Sequence, residues 1–301
     1  MNIKVKGEKY NLEVKVIQIL LDKYICIDKT DKIITCVKSG NMKKQKVYVG
    51  DNANVIISSD TYVITEVLSR SNFVIRPPVA NIDTMILCVS AKSPEPDYIL
   101  LDKQIILCLN KNIKPIICVT KTDLDKENKV LNYIESVYGK YYDIISVVAT
   151  LNKGIDKLKN SLNGKTAAFS GNSGVGKSSI VNLLNPDHKL EIGDIGLKSN
   201  KGKHTTKEVR LFNIAHETFI LDTPGFSSYE VFDVTYKELT RYFKQFESCN
   251  CKYLDCRHTK EKEDVCDVKY KVLNNEIDKD LYERYIYIYN ELYKKDTLKY
   301  K

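Results

Sequence analysis

No tryptophan occurs among the 301 residues, so any aromatic anchor or stacking surface must be built from 20 tyrosines and 8 phenylalanines. Long apolar runs are missing too: stretches such as residues 85–89 fall far short of the ~20 residues a membrane-spanning helix needs. The first 14 residues carry no apolar core of signal-peptide length, so the chain is expected in the cytoplasm, with no membrane partner. Internal repeats and low-complexity tracts are absent, which argues against a fibrous or disordered chain. What is present is ordinary for a globular protein: 43% hydrophobic and 29% charged residues, with length enough for two or three domains that bury substantial cores. The formal net charge of +8 suits an anionic partner, although it is modest and a solvated lysine-rich surface is its commoner source.

One octapeptide stands out. Gly171-Asn172-Ser173-Gly174-Val175-Gly176-Lys177-Ser178 fits GxxxxGK[ST], the P-loop, and names a nucleoside triphosphate as ligand. Residues 165–170 before it read as a buried strand and residues 178–184 after it as a helix, the context the motif requires. There the glycines let successive N–H groups turn inward on the β-phosphate, and the helix N-terminus adds its positive end. Lys177 is expected to neutralise β/γ oxygens and Ser178 to ligate Mg²⁺, with Ser179 beside it at the nucleotide.

A P-loop does not choose the base. Downstream, the apolar segment 218–221 ends in Asp222-Thr223-Pro224-Gly225, a DxxG pattern in which Asp222 would hold Mg²⁺ through water and the Gly225 N–H would meet the γ-phosphate. Upstream, the buried strand 115–119 ends in Thr120-Lys121-Thr122-Asp123. This resembles the NKxD guanine motif, whose aspartate accepts from guanine N1–H and the exocyclic amine; adenine would leave that carboxylate unpaired. Thr120 stands where asparagine is usual, which keeps open a P-loop ATPase with a degenerate base site. After strand 143–148, Val148-Ala149-Thr150 occupies the place of an SAK-like loop whose N–H meets guanine O6, and an ordinary strand end fits it equally.

Ras-like GTPases begin with the P-loop, whereas here TKTD precedes it and DTPG comes last, so the order is a circular permutation. Together with Arg76-Pro77-Pro78-Val79-Ala80-Asn81-Ile82-Asp83 and Gly202-Lys203-His204-Thr205-Thr206, this order resembles the RsgA family (also called YjeQ), circularly permuted GTPases of small-ribosomal-subunit assembly. The resemblance covers essentially the whole chain. It implies that GxHTT is switch I, with Thr206 on Mg²⁺ and the γ-phosphate and Thr205 its neighbour; by spacing alone the segment is a polar loop.

Phe226 follows Gly225 where Ras-like proteins carry the glutamine that orients the attacking water, and a phenyl ring offers water no hydrogen bond. Slow intrinsic GTP hydrolysis is therefore expected, with His204 as candidate water-orienting residue once a partner orders the segment, and Lys177 and Thr206 completing the catalytic set. The same phenylalanine motivates a second reading, a nucleotide-gated rRNA-binding module whose hydrolysis is incidental.

Five of the nine cysteines, Cys26, Cys36, Cys88, Cys108 and Cys118, lie among apolar neighbours and read as buried thiols. The other four crowd into residues 249–266, which in a cytosolic protein argues for metal. Cys251, Cys256, His258 and Cys266 give three thiolates and an imidazole, a closed structural zinc set, with Cys249 as the alternate to Cys251. The family carries a similar C(x4)CxH(x5)C arrangement, from which this chain departs by having seven residues between His258 and Cys266.

The expected fold is multidomain α/β. Residues 1–70, with short alternating segments 24–27, 33–37, 46–49, 54–57 and 63–67, read as a small β-barrel, which the resemblance makes an OB-fold that binds RNA. Lys38, Lys43, Lys44 and Lys46 surround one of its loops. Residues 71–232 alternate strand and helix as the circularly permuted P-loop GTPase domain, with helices at 98–110, 127–138 and 155–162. Residues 233–301 read as a C-terminal helical zinc-binding domain. In its helix at 281–293, Leu281, Tyr285, Ile288 and Leu292 form one stripe and Tyr282, Ile286, Tyr289 and Tyr293 another, for packing or for stacking on RNA bases. The resemblance implies GTP and GDP, Mg²⁺, one zinc ion, the small (30S) ribosomal subunit with its rRNA, and a monomer acting late in assembly of that subunit, which would stimulate hydrolysis.

Overall fold

The computed structural model describes residues 11–42, 44–186, 209–222, with Asp222 by its backbone, and 233–298. In chain order the elements are β1 (Leu12–Leu20), β2 (Lys23–Asp28), β3 (Ile33–Lys38), β4 (Asn52–Ser58), β5 (Thr61–Val67), β6 (Phe73–Ile75), β7 (Pro78–Ala80) and β8 (Thr84–Ser90). There follow α1 (Tyr98–Asn110), β9 (Lys114–Thr120), α2 (Lys129–Tyr138), β10 (Asp143–Val147), α3 (Ile155–Ser161), β11 (Thr166–Ser170) and α4 (Lys177–Leu184). The chain continues through β12 (Arg210–Ala215), β13 (Thr218–Asp222), α5 (Asp267–Leu273) and α6 (Lys279–Leu298). They fall into two compact units, one drawing its described residues from 1–85, 155–169 and 178–226, the other from 86–154, 170–177 and 227–301.

In the first unit β1-β2-β3-β5-β4 close into a five-stranded barrel through pairing of β1 with β4, the expected OB-like barrel. Its core is the inward set of the alternating strands, including Val14, Val16, Cys26, Ile34, Cys36, Val55 and Ile64. Strand β1 was not expected, because its alternation slips: Val16 and Ile17 are both buried at a bulge between Val16 and Gln18. Conversely, the strand expected at 46–49 does not form. The buried Asp51 carboxylate accepts the Tyr48 N–H (2.8 Å) and pairs with Arg70, which also donates to the Lys46 carbonyl, so side chains take the backbone groups a ladder would use. Only Val49 bridges, to Val79. The Asp83 carboxylate accepts the Thr166 N–H (2.7 Å) and the Asp83 N–H returns to the Thr166 carbonyl (2.9 Å), fixing where β11 starts. β11 runs parallel to β13, which pairs antiparallel with β12.

In the second unit β10, β9 and β8 lie side by side, β10 and β9 in parallel register from Asp143↔Ile116 to Val147↔Thr120. Every residue of β8 is buried, the continuous apolar run of a strand covered on both faces. The C-terminal part is helical. Along α6 the stripe Leu281, Tyr285, Ile288 and Leu292 is buried, each aliphatic member contributing about 2 kcal/mol. Tyr285 packs edge-on against Phe243 and Phe246 at 5.0 and 5.1 Å between ring centres. Of the second stripe, Tyr289 and Tyr293 pack against Tyr236. A cleft of about 550 Å³, lined by Lys114, Tyr141, Asp143 and Lys244 among others, lies where β9 and β10 begin, opposite the strand ends that carry the sequence motifs.

Candidate nucleotide and metal sites

The P-loop follows directly from how β11 ends. Ser170 is fully buried, and Gly171 then turns with φ +138°; a Cβ there would sit 2.3 Å from the Cys88 carbonyl oxygen, so only glycine fits against β8. Gly174 and Gly176 also take positive φ, +77° and +98°, and the loop enters α4 at Lys177. The Lys177 ammonium donates to the carbonyls of Gly171 and Asn172, 2.7 Å each. Burial pulls its pKa below the ordinary lysine value, and the Cys88 side chain opposes this only in part. A half-buried cation that meets no carboxylate among the described residues, over a loop of left-handed glycines that opens into a helix N-terminus, fits a phosphate group.

The two guanine-type segments converge on this loop. Thr120, 3% exposed at the end of β9, donates its hydroxyl to the Val175 carbonyl at 2.7 Å. Lys121, at φ +57°, donates Nζ to the carbonyls of Gly174 (2.8 Å) and Ser93 (2.5 Å). Its backbone N–H reaches the Val147 carbonyl (3.1 Å), and the Thr122 hydroxyl meets that of Ser146 (3.0 Å), so TKTD and the turn at Val148, Ala149 and Thr150 are bound together. Asp123 is left exposed on a single helical turn, its carboxylate open to a ligand. The threonine that departs from NKxD thus ties the TKTD loop to the P-loop.

Asp222 ends β13, and the register Thr166↔Phe219 carried forward brings it level with Phe169, two residues before Gly171. Ser178 and Ser179 lie in the first turn of α4. His204, Thr205, Thr206, Gly225 and Phe226 lie outside the described residues. Two residues at the P-loop escaped the sequence reading: Asp97, whose carboxylate caps α1 and accepts from Asn172 Nδ2 (3.2 Å), and Gln104, whose Nε2 donates to Ser170 Oγ (2.7 Å). An aspartate three residues before Leu100 at a helix start signals the cap but not its second partner.

The structure also brings together Cys251, Cys256, His258 and Cys266, whose ligand atoms all lie within 4.8 Å of one another. The three sulfurs stand 3.5, 3.4 and 3.4 Å from His258 Nδ1. A tetrahedron with Zn–S of about 2.3 Å and Zn–N of about 2.05 Å has S···N edges of roughly 3.6 Å, so the set fits zinc. Burial lowers the His258 pKa to about 4, which keeps the ring neutral and able to ligate. Tyr282 donates to the His258 carbonyl and Tyr285 to that of Arg257, 2.7 Å each. The long loop is folded by the Glu261 carboxylate, which accepts the N–H groups of Arg257 and Thr259, and by a turn that returns Cys266 N–H to Lys262. Cys249 is not in the cluster.

The sequence profile of the family described as RsgA GTPase matches residues 67–232. A small ribosomal subunit biogenesis GTPase RsgA of Ruminiclostridium cellulolyticum is 38% identical over 92% of this chain and 92% of its own. That of Thermotoga maritima is 36% identical over 88% of this chain and 91% of its own. Among solved structures, YjeQ from Thermotoga maritima superposes with a TM-score of 0.83 at 32% identity, covering 94% of this chain and 98% of that one. YloQ, described as a circularly permuted GTPase, gives a TM-score of 0.82 at 30% identity, covering 97% and 99%.

Proposed function

The chain belongs to the RsgA GTPase family, and from that premise we propose that it hydrolyses GTP with Mg²⁺ while bound to the small ribosomal subunit, which accelerates the reaction and whose late assembly it serves in the cytoplasm. The observation that supports this most is the direct bonding of the base loop to the phosphate loop, Thr120 to Val175 and Lys121 to Gly174. Such bonds hold the loop that carries Asp123 and the glycine loop in one fixed relation, which a ligand carrying both a base and phosphates would need.

In this reading Lys177 and the loop N–H groups hold the β- and γ-phosphates, and Asp123 accepts from the guanine edge, with Ala149 N–H at O6. Ser178, Thr206 and, through water, Asp222 hold Mg²⁺, which supplies charge neutralisation between the β and γ oxygens. His204 orients the attacking water in the subunit-bound protein. Residues 71–232 act as the GTPase domain, flanked by the barrel at 1–70 and the zinc-stapled helical domain at 233–301 as RNA-contacting arms. Loss of the γ-phosphate would release the switch segments and with them the subunit.

The base assignment is tested by Asp123→Ala. A site built to pair with the guanine edge should favour GTP over ATP by about 10⁴. In the variant that preference is expected to collapse to roughly tenfold or less, through loss of GTP affinity with ATP binding unchanged, as read by competition titration. Undiminished selectivity would remove Asp123 from the base site.

A further inference from the structure

Helix α1 carries buried polar side chains on two opposing sides, and each side leads to a different part of the second unit. At about 100° per residue, positions 102 and 104 project roughly 200° apart. Gln104, 1% exposed, donates to the hydroxyl of Ser170, the residue before Gly171. At the helix start, Asp97 holds Asn172 of the P-loop. On the other side, Asp102, 3% exposed, accepts from Arg284 Nε of α6 and from the Tyr138 hydroxyl of α2, 2.6 Å each.

The Arg284 fork is used on every arm. It also donates to the hydroxyls of Tyr133 (3.0 Å) and Tyr138 (2.9 Å), and its guanidinium lies 5.4 Å from the centre of the Tyr98 ring. Tyr133 in turn donates to Asp278 just before α6 (2.9 Å). The same helix grips the zinc-type loop through Tyr282 and Tyr285. A continuous run of hydrogen bonds therefore joins that loop, α6, α1 and the P-loop.

Buried ion pairs are a poor source of stability, since well-packed hydrophobic residues of similar volume do as well or better. A planar fork with several fixed partners supplies geometry instead: it sets the rotation and height of one helix against another. We propose that Arg284 is a positioning residue for the P-loop, acting through Asp102 and α1 so that Gln104 and Asp97 hold Ser170 and Asn172 in the phosphate-binding conformation. The proposal rests on residues 171–178 being a nucleotide site. It makes the seating of α6 and nucleotide affinity reciprocal quantities, so a partner that shifts this helix changes nucleotide binding.

The test measures affinity for a fluorescent GDP analogue and the thermal midpoint in Arg284→Met, Asp102→Leu, the double variant, Gln104→Leu and the triple variant. Arg284→Met alone strands a buried carboxylate and is expected to lower both quantities. The double variant is expected to regain its midpoint yet bind on the order of tenfold more weakly than the unsubstituted chain. The triple variant should bind no worse than the double, because all three residues act on one contact. A double variant with restored midpoint and full affinity would overturn the proposal, as would an additive loss in the triple. Arg284→Lys reads the same contrast with the charge kept: weaker binding at an unchanged midpoint supports positioning, and full affinity refutes it. An unsubstituted chain that fails to bind the analogue would overturn the nucleotide reading itself, before any substitution is made.

Discussion

Lys177→Ala is expected to weaken GTP binding by about 10- to 150-fold and to slow single-turnover hydrolysis by a further factor on the order of 10²–10³. The first figure corresponds to one charge-assisted hydrogen bond worth about 1.5–3 kcal/mol. The second reflects lost stabilisation of charge that grows in the transition state. The variant should not be less stable without nucleotide. Among the described residues the half-buried ammonium meets two carbonyls and no carboxylate, and burial already lowers its pKa. Removing that charge relieves a desolvation cost, so the thermal midpoint should stay level or rise. Titration, quenched turnover and calorimetry on one preparation separate these effects. An affinity within threefold of the unsubstituted chain would mean that Lys177 does not meet phosphate.

Cys266→Ser is expected to abolish stoichiometric zinc and to unfold much of residues 233–298 at temperatures where the unsubstituted chain is intact. Cys266 is fully buried, stands at the N-cap of α5 and lies 3.4 Å from His258 Nδ1. Zinc binding in small sites of this kind is worth about 10–16 kcal/mol and is in effect folding free energy. Few of the helices here are long enough to stand alone: α5 has seven residues. Metal analysis should find one zinc per chain, lost in Cys251→Ser and Cys266→Ser and kept in Cys249→Ser. Zinc that survives Cys251→Ser but leaves with Cys249→Ser would reverse the ligand assignment.

The parts of this molecule that the sequence announced are those encoded locally. The P-loop is eight consecutive residues whose glycines are demanded by backbone conformation, so its place between β11 and α4 was readable without any partner. Strands β9 and β11 were readable because burial on both faces leaves nearly unbroken apolar runs. Strand β1 was lost to a bulge that breaks the period of two, and the false strand at 46–49 alternated well but had its backbone groups taken by Asp51 and Arg70. Least legible was the Asp102–Arg284 pair, whose members are 182 positions apart. Within α6 an arginine at 284 looks like any solvated charge, and only the tertiary structure buries it. The substitution at Thr120 shows the reverse: the sequence raised a doubt about the base loop, and the hydroxyl's bond to Val175 gives the residue a use that spacing could not reveal.

The most direct measurement is turnover of GTP beside ATP by the purified chain, alone and with small ribosomal subunits, with Lys177→Ala as control. The account predicts slow, GTP-selective hydrolysis that rises by orders of magnitude with subunits and vanishes in the control. Turnover that subunits leave unchanged would contradict it and favour a nucleotide-gated RNA-binding module, and a preference for ATP would contradict the guanine site.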